Sequence, residues 1–143
     1  MRLSRLERGL FAVCFTVALL GCGNRLTPPP TADAYKNYNA ALESMKSKDW
    51  KKAGEGFSFC VEKGGLNADL YTDALVRRAI CLAQTGDIPA ANADLDKAER
   101  AADLAPVYSA RALVLKKAGK TSEATAMLAK AKKLNAKVEV FSD

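Results

Sequence analysis

The chain has 143 residues, a length that fits one domain and leaves little room for a second. Hydrophobic residues make up 49% of it but aromatic residues only 7%, and its formal net charge is +6. It contains no histidine, so the commonest general base and the commonest metal ligand are both missing. We therefore expect no metal, no other cofactor and no enzyme activity, since no side-chain spacing predicts a nucleophile and its base.

The first 21 residues have the organisation of a signal peptide. Residues 1–8 include three arginines, and the 12 residues from Gly9 to Leu20 carry no charge. A signal-peptide core has roughly 7–15 apolar residues, whereas a membrane-spanning helix needs about 20. The length therefore favours a cleaved leader over residues 1–21, rather than an N-terminal anchor that stays in the membrane.

The leader ends in Leu19-Leu20-Gly21-Cys22, which resembles the lipobox of bacterial lipoproteins. The resemblance implies cleavage between Gly21 and Cys22, lipidation of the Cys22 thiol and acylation of the new amino terminus. Several acyl chains anchor a protein stably where one chain does not. The resemblance also implies export and, because Gly23 replaces the aspartate that retains lipoproteins at the inner membrane, an outer-membrane location facing the periplasm in a host that has one.

Residues 22–34 are predicted to form a tether between this lipid anchor and the folded domain, which would cover residues 35–143. Three consecutive prolines, Pro28 to Pro30, favour an extended segment rather than a packed one. Removal of three arginines and one glutamate with the leader would leave a net charge of +4. This loss of charge and the predicted export both argue against a nucleic-acid partner.

Three stretches of the predicted domain share one rhythm, in which a turn precedes a small residue, a bulky residue and another small residue. These positions hold Ala53, Phe57 and Cys60, then Ala91, Leu95 and Ala98, then Ala124, Leu128 and Ala131. A helix ahead of each turn contributes one more small residue, at Ala41, Ala79 and Ala112. Small residues at this spacing let helices approach each other closely, and the bulky residue fills the space between them.

This rhythm resembles the tetratricopeptide repeat, in which a helix–turn–helix unit recurs with a period of about 34 residues. Here the two intervals are 38 and 33 residues. The resemblance implies an all-α fold, a short right-handed superhelical solenoid of three hairpins. The three units would cover about residues 35–65, 70–103 and 105–135. An irregular alanine-rich helical bundle is the alternative, and Arg78 and Arg111 stand where the family usually has leucine.

Repeats of this family perform no chemistry and present an inner groove to a partner. The groove positions that the resemblance implies are Tyr35, Tyr38, Leu42 and Met45, then Asp73, Val76, Ile80 and Ala83, then Ser109, Leu113, Lys116 and Lys117. We expect them to bind a peptide or helix segment of an envelope protein. Alternatively, the apolar ones are core residues or are covered by the chain's own tail. The favoured function is thus a membrane-anchored, non-enzymatic adaptor or scaffold of the bacterial cell envelope.

The C-terminal part of the chain is basic, with eight basic and three acidic residues over residues 111–143. This basic face suggests an alternative function, a structural lipoprotein associated with the cell wall or another anionic surface. A solvated helix face is the more ordinary interpretation of such a run. Too few residues for a helix follow Asn135, so the tail either folds onto the last unit or leaves an open face for another molecule or a second copy.

Cys60 and Cys81 are the two cysteines outside the leader and the lipobox. Both occupy small-residue positions on helices that are expected to be neighbours, so a disulfide between them is one interpretation for an exported protein. Two buried thiols that act as small apolar side chains are the other interpretation. Two cysteines without histidine do not predict a metal site.

Overall fold

The computed structural model of the protein describes residues 30–100 and 104–142. The predicted leader, the cleavage site at Gly21 and Cys22, and most of the predicted tether lie outside these residues. Within the described part, all regular structure is helical, and no helix there is long and apolar enough to cross a bilayer. The prediction of an all-α fold is confirmed.

In the described residues, six helices form three hairpins in chain order. They are α1 (Ala32–Lys46), α2 (Trp50–Lys63), α3 (Ala68–Thr85), α4 (Ile88–Glu99), α5 (Leu104–Lys117) and α6 (Thr121–Leu134). Only two or three residues join α1 to α2, α3 to α4 and α5 to α6, and connections this short make antiparallel neighbours. Each helix packs against the next one along the chain, and α3 also packs against α5.

Helix α1 begins three residues before the predicted start of the domain. The Thr31 hydroxyl accepts a hydrogen bond from the Ala34 amide at 3.3 Å and so caps the helix. The Thr31 amide in turn donates to the Gly65 carbonyl at 2.8 Å, which ties the start of α1 to the loop after α2. Residues 31–34, which the sequence pattern assigned to the tether, are therefore part of the folded domain.

The turn inside the first hairpin differs from the other two in its residue type. Gly86 and Gly119 have φ angles of 95° and 78°, in the left-handed region where glycine meets no steric penalty. Lys48 occupies the same place in the first hairpin, with φ of 61°. A side chain in this region costs roughly 1 kcal/mol. The first hairpin therefore keeps the same turn geometry without the glycine and carries some strain there.

The small and bulky positions of the predicted rhythm form the interior. Eleven of the twelve side chains are buried, and Phe57 and Leu95 are fully so. The exception is Leu128 on α6, which is half-buried and lines a cavity together with residues beyond the end of that helix. The spacing of small and large residues thus predicted burial correctly at every position in the first two hairpins and at all but this position in the third.

Arg78 and Arg111 both pair with acidic residues of α4. Arg78 binds Asp94 through two bonds, Nε to Oδ2 at 2.6 Å and Nη2 to Oδ1 at 2.7 Å. Asp94 lies in the interior, with 4% of its side chain exposed. Arg111 donates to Asp96 Oδ1 at 2.8 Å and to Glu99 Oε2 at 3.1 Å. Ion pairs therefore join α4 to α3 and to α5.

Candidate functional site

The chain folds back on itself after α6. Residues 135–142, called the tail below, contain no helix. Asn135 starts the reversal, because its side chain accepts from the Lys137 amide at 2.9 Å and its carbonyl from the Val138 amide at 3.1 Å. Val138 is buried in a small cluster with Tyr108 and other residues of α5 and α6. The tail thus begins by packing onto the last hairpin, one of the two expected arrangements.

The tail then crosses α5 and reaches α3. The Ser109 hydroxyl on α5 donates a hydrogen bond to the Glu139 carbonyl. The Gln84 side-chain amide on α3 donates to the Ser142 carbonyl at 3.3 Å. Arg77, also on α3, places Nη2 3.6 Å from the Glu139 carboxylate. Side chains of two helices therefore hold the main chain and one charge of the tail.

Two cavities flank the tail. The α1-side cavity, of about 430 Å³, lies between the tail, α1 and α3 and is lined by Leu42, Met45, Lys46, Trp50, Arg77 and Ile80. The α6-side cavity, of about 140 Å³, lies between the tail, α5 and α6, and Leu113, Lys116 and Leu128 are among its lining residues. Phe141 borders both cavities and packs against the central apolar core. We call the surface of α1, α3 and α5 that lines these cavities or contacts the tail the groove.

Six of the twelve predicted groove positions line these cavities, namely Leu42, Met45, Ile80, Ser109, Leu113 and Lys116. Tyr38 and Val76 are buried in the core instead, with 5% and 2% of their surface exposed, because neighbouring helices cover them. Tyr35 is half exposed and lines neither cavity. Some of the predicted groove residues are therefore core residues, and others lie beside the tail, so each of the two alternatives applies to part of the predicted groove.

Tyr38 is a core residue whose hydroxyl shares the Asp73 carboxylate with Arg77 of the groove. Its hydroxyl donates to Asp73 Oδ2, and Arg77 Nε lies 2.6 Å from the same oxygen. Burial and the bond to Asp73 raise the pKa of Tyr38 above its ordinary value, so the hydroxyl keeps its proton. Its ring meets Phe57 edge to face, with centroids 5.9 Å apart. The predicted groove residue Asp73 thus acts indirectly, by holding Arg77 beside the tail.

Several residues of this site were not predicted from the sequence, among them Trp50, Arg77, Gln84, Glu139 and Phe141. Arg77 follows Asp73 by four positions, a spacing at which opposite charges meet on one helix face. That signal predicts the ion pair but not its position beside the tail. Glu139 and Phe141 lie in a segment with no helical period, so the sequence offered no rule for where they pack.

Cys60 and Cys81 are free thiols in this structure. Both are almost completely buried and belong to the apolar cluster between α1, α2 and α3. Burial raises the pKa of both thiols, that of Cys81 to about 12, so they remain neutral and poorly reactive at physiological pH. The structure thus describes them as small apolar side chains rather than as the disulfide, the other interpretation. Within residues 30–100 and 104–142, no group of three or more acidic residues and cysteines comes together as a metal site.

Several residues of the predicted basic face interact with their own chain. The Nζ of Lys130 lies 3.9 Å from the centre of the Tyr108 ring. Lys120 pairs with Glu123 at 3.4 Å, and Arg111 with the acidic residues of α4. Lys132 and Lys133 are exposed on α6. The charge offered to an outside anion is therefore smaller than the sequence count suggests.

Comparison of the chain with protein-family models, with curated proteins and with solved structures gave no significant match. The described residues form three helical hairpins, with a groove between helices of different hairpins. That groove is occupied in part by the chain's own non-helical tail.

Proposed function

We propose that the protein is a bacterial lipoprotein, exported and anchored through lipidated Cys22, that acts as a non-enzymatic adaptor in the cell envelope. The observation that carries this proposal is the tail in the groove. Ser109 and Gln84 bind carbonyl groups of its main chain, which every peptide offers. Apolar contacts at Val138 and Phe141 add selectivity. A surface built in this way suits the recognition of a peptide segment.

The proposal includes a tetratricopeptide-like arrangement of the three hairpins. Its support is the recurring unit itself, together with the packing of α3 on α5, the first helices of successive hairpins. The buried small residues at equivalent places of each hairpin support it further. In the groove, Ser109 and Gln84 bind tail carbonyls and Arg77 pairs with Asp73 and Glu139, an arrangement suited to binding rather than to bond cleavage.

The predicted lipid anchor is tested by replacing its cysteine. In the native bacterium we expect Cys22→Ser to move the protein from the membrane fraction to the soluble fraction and to abolish incorporation of radiolabelled palmitate, because the thiol that carries the lipid is gone. Cys14→Ser is the matched control, since Cys14 lies inside the predicted leader, and it should leave both properties unchanged. Membrane association and labelling that survive in Cys22→Ser would refute anchoring at this residue.

The adaptor function is tested by capture from gently solubilised native membranes, followed by mass spectrometry. We expect the wild-type protein to recover a discrete envelope protein, and a variant with Leu42→Gln and Met45→Gln to lose it. Both side chains are half-buried and line the α1-side cavity, so the change makes the cavity polar without emptying the core. Phe59→Gln is the matched control, because Phe59 is 46% exposed and lines neither groove cavity.

The same experiment distinguishes the adaptor from the alternative function. Equal recovery by wild type and the folded Leu42/Met45 variant would contradict groove binding. Recovery of wall polymer or anionic lipid that falls with salt and with Lys132→Glu and Lys133→Glu would support a surface-associated lipoprotein instead. Thermal unfolding of each variant checks that it remains folded.

A further inference from the structure

The tail is held in the groove by few buried contacts. Val138 is buried and Phe141 half-buried, but Val140 between them is 48% exposed. The Glu139 carboxylate is 61% exposed where it meets Arg77, so water screens that ion pair strongly. A segment with so little buried apolar surface opens at a much lower free energy than the helices beneath it. The tail can therefore leave the groove while the three hairpins stay folded.

Basic side chains border the tail on both sides. Lys46 and Arg77 line the α1-side cavity, and Lys116 lines the α6-side cavity. Lys46 pairs with Glu43 at 2.7 Å and Arg77 with Asp73, which offsets part of this charge, while Glu139 of the tail supplies a further carboxylate to Arg77. Without the tail, Arg77 would keep Asp73 but lose the Glu139 carboxylate, so the groove would become more positive beside Arg77. An occupant that brings a carboxylate is therefore favoured over a neutral or basic one.

The residues of the tail indicate which side chains a partner segment needs in order to bind in the groove. Val138 and Phe141 are apolar anchors three positions apart, and Glu139 between them places its carboxylate toward Arg77. The carbonyls of Glu139 and Ser142 accept bonds from helix side chains, which does not depend on sequence. A partner segment needs the same three elements: a non-helical backbone, an acidic residue and flanking apolar residues with an aromatic anchor.

We propose that the tail is an internal competitor, which occupies the groove until an acidic, apolar, non-helical segment of a partner displaces it. The inference rests on the proposed adaptor function and adds the chemistry of the partner and the regulation of the site. The tail is attached to α6, so its effective concentration at the groove is high. The apparent affinity for a partner is reduced by the fraction of molecules whose groove is closed.

The α1-side cavity gives a partner its first contact. It keeps about 430 Å³ while the tail is in place, and its wall combines Leu42 and Met45 with the tail residues Val140 and Phe141. An apolar side chain of the partner can enter there before the tail moves. Its backbone can then take over the bonds of Ser109 and Gln84 as the tail leaves.

A labelled peptide tests the competition directly. The probe is a fluorescein-labelled peptide with the sequence of residues 136–142, and fluorescence anisotropy measures its binding to the full chain in mild detergent. We expect Phe141→Ala in the chain to bind the peptide about tenfold more tightly than wild type, because its own tail competes less. Lys137→Ala is the matched control, an exposed tail residue whose replacement should leave the affinity at the wild-type value.

A second variant keeps the test decisive if Phe141→Ala perturbs folding. Glu139→Lys places a positive charge beside Arg77, so it should release the tail through repulsion and increase peptide binding in the same direction. A peptide in which alanine replaces the residue corresponding to Phe141 should bind every variant more weakly. Equal affinity of the peptide for wild type, Phe141→Ala and Glu139→Lys would overturn the proposal, and so would the absence of binding to folded variants of both kinds.

This experiment separates the inference from the adaptor function. Tighter peptide binding by the opened variants, with no envelope protein captured from membranes, would support the competing tail and contradict the adaptor. A captured partner that wild type and Phe141→Ala bind with equal affinity would support the adaptor and overturn the competition. We expect instead that Phe141→Ala captures the same partner as wild type in larger amount.

Discussion

Replacement of Phe57 by alanine is expected to lower the free energy of unfolding by about 3–5 kcal/mol. Phe57 is fully buried and packs with Tyr38 and the small residues of the cluster between α1, α2 and α3. Alanine would leave a cavity that the surrounding helices close only in part, so both transfer energy and packing are lost. Urea denaturation followed by far-ultraviolet circular dichroism measures the change, with the slope of the transition as a check on two-state behaviour.

Phe59 is the matched control for this prediction. It lies on the same helix two positions further on, and 46% of its surface is exposed. Phe59→Ala removes the same number of atoms, but we expect the stability to change by no more than about 0.5–1 kcal/mol, because much of the ring is already in water. If both variants lost the same free energy of unfolding, Phe57 would not be buried more deeply than Phe59, and the orientation of α2 in the structure would be wrong.

The helical core could be predicted from the sequence because burial in packed helices is periodic. Ala53, Phe57 and Cys60 repeat the spacing of Ala91, Leu95 and Ala98, and all six side chains are buried. The start of α1 was placed too late for a local reason. Three prolines suggested a tether, whereas in the structure Thr31 caps α1 and its amide also donates to the distant Gly65 carbonyl.

The groove could be predicted only in part, since its composition depends on contacts between distant segments. Tyr38 and Leu42 lie four residues apart on α1 and so share a face, yet only Leu42 lines a cavity. The difference arises because Asp73 on α3 meets the Tyr38 hydroxyl and buries that end of the face. The path of the tail has no periodic signal at all, and it determines which parts of the groove remain open.

The contacts of the tail extend beyond the last hairpin, further than the sequence analysis predicted for the end of the domain. Sequence reasoning left two choices, a tail that covers the last hairpin or a face that binds another molecule. Val138 covers part of the last hairpin, but Phe141 continues to the central core and Ser142 to Gln84 on α3. The tail therefore connects the third hairpin to the second. Its release would expose surface on both, which is why a small number of tail contacts can control the whole groove.

Replacement of Asp94 by alanine is expected to destabilise the protein by about 3–5 kcal/mol. The Arg78 side chain is only 13% exposed, and its bonds to Asp94 raise the pKa of its guanidinium above the ordinary value. Without Asp94 this charge would stay in the interior, paired among the described residues only with Glu62, which lies 3.9 Å away and largely in solvent. Chemical denaturation measures the loss. Asp96→Ala is the control and should cost at most about 1 kcal/mol, because Asp96 is 62% exposed and Arg111 keeps Glu99.

A double variant shows whether the loss comes from the unpaired charge or from packing. Arg78→Leu together with Asp94→Leu removes both charges and puts at position 78 the residue that the resembled family usually has. We expect it to recover most of the stability lost in Asp94→Ala, since replacing a buried ion pair by apolar residues is often neutral or stabilising. A double variant as unstable as Asp94→Ala would mean that the two bonds between Arg78 and Asp94 hold α4 in a position that apolar packing cannot maintain. The ion pair would then be required for the geometry of the second hairpin, which carries Arg77 and Gln84 of the groove.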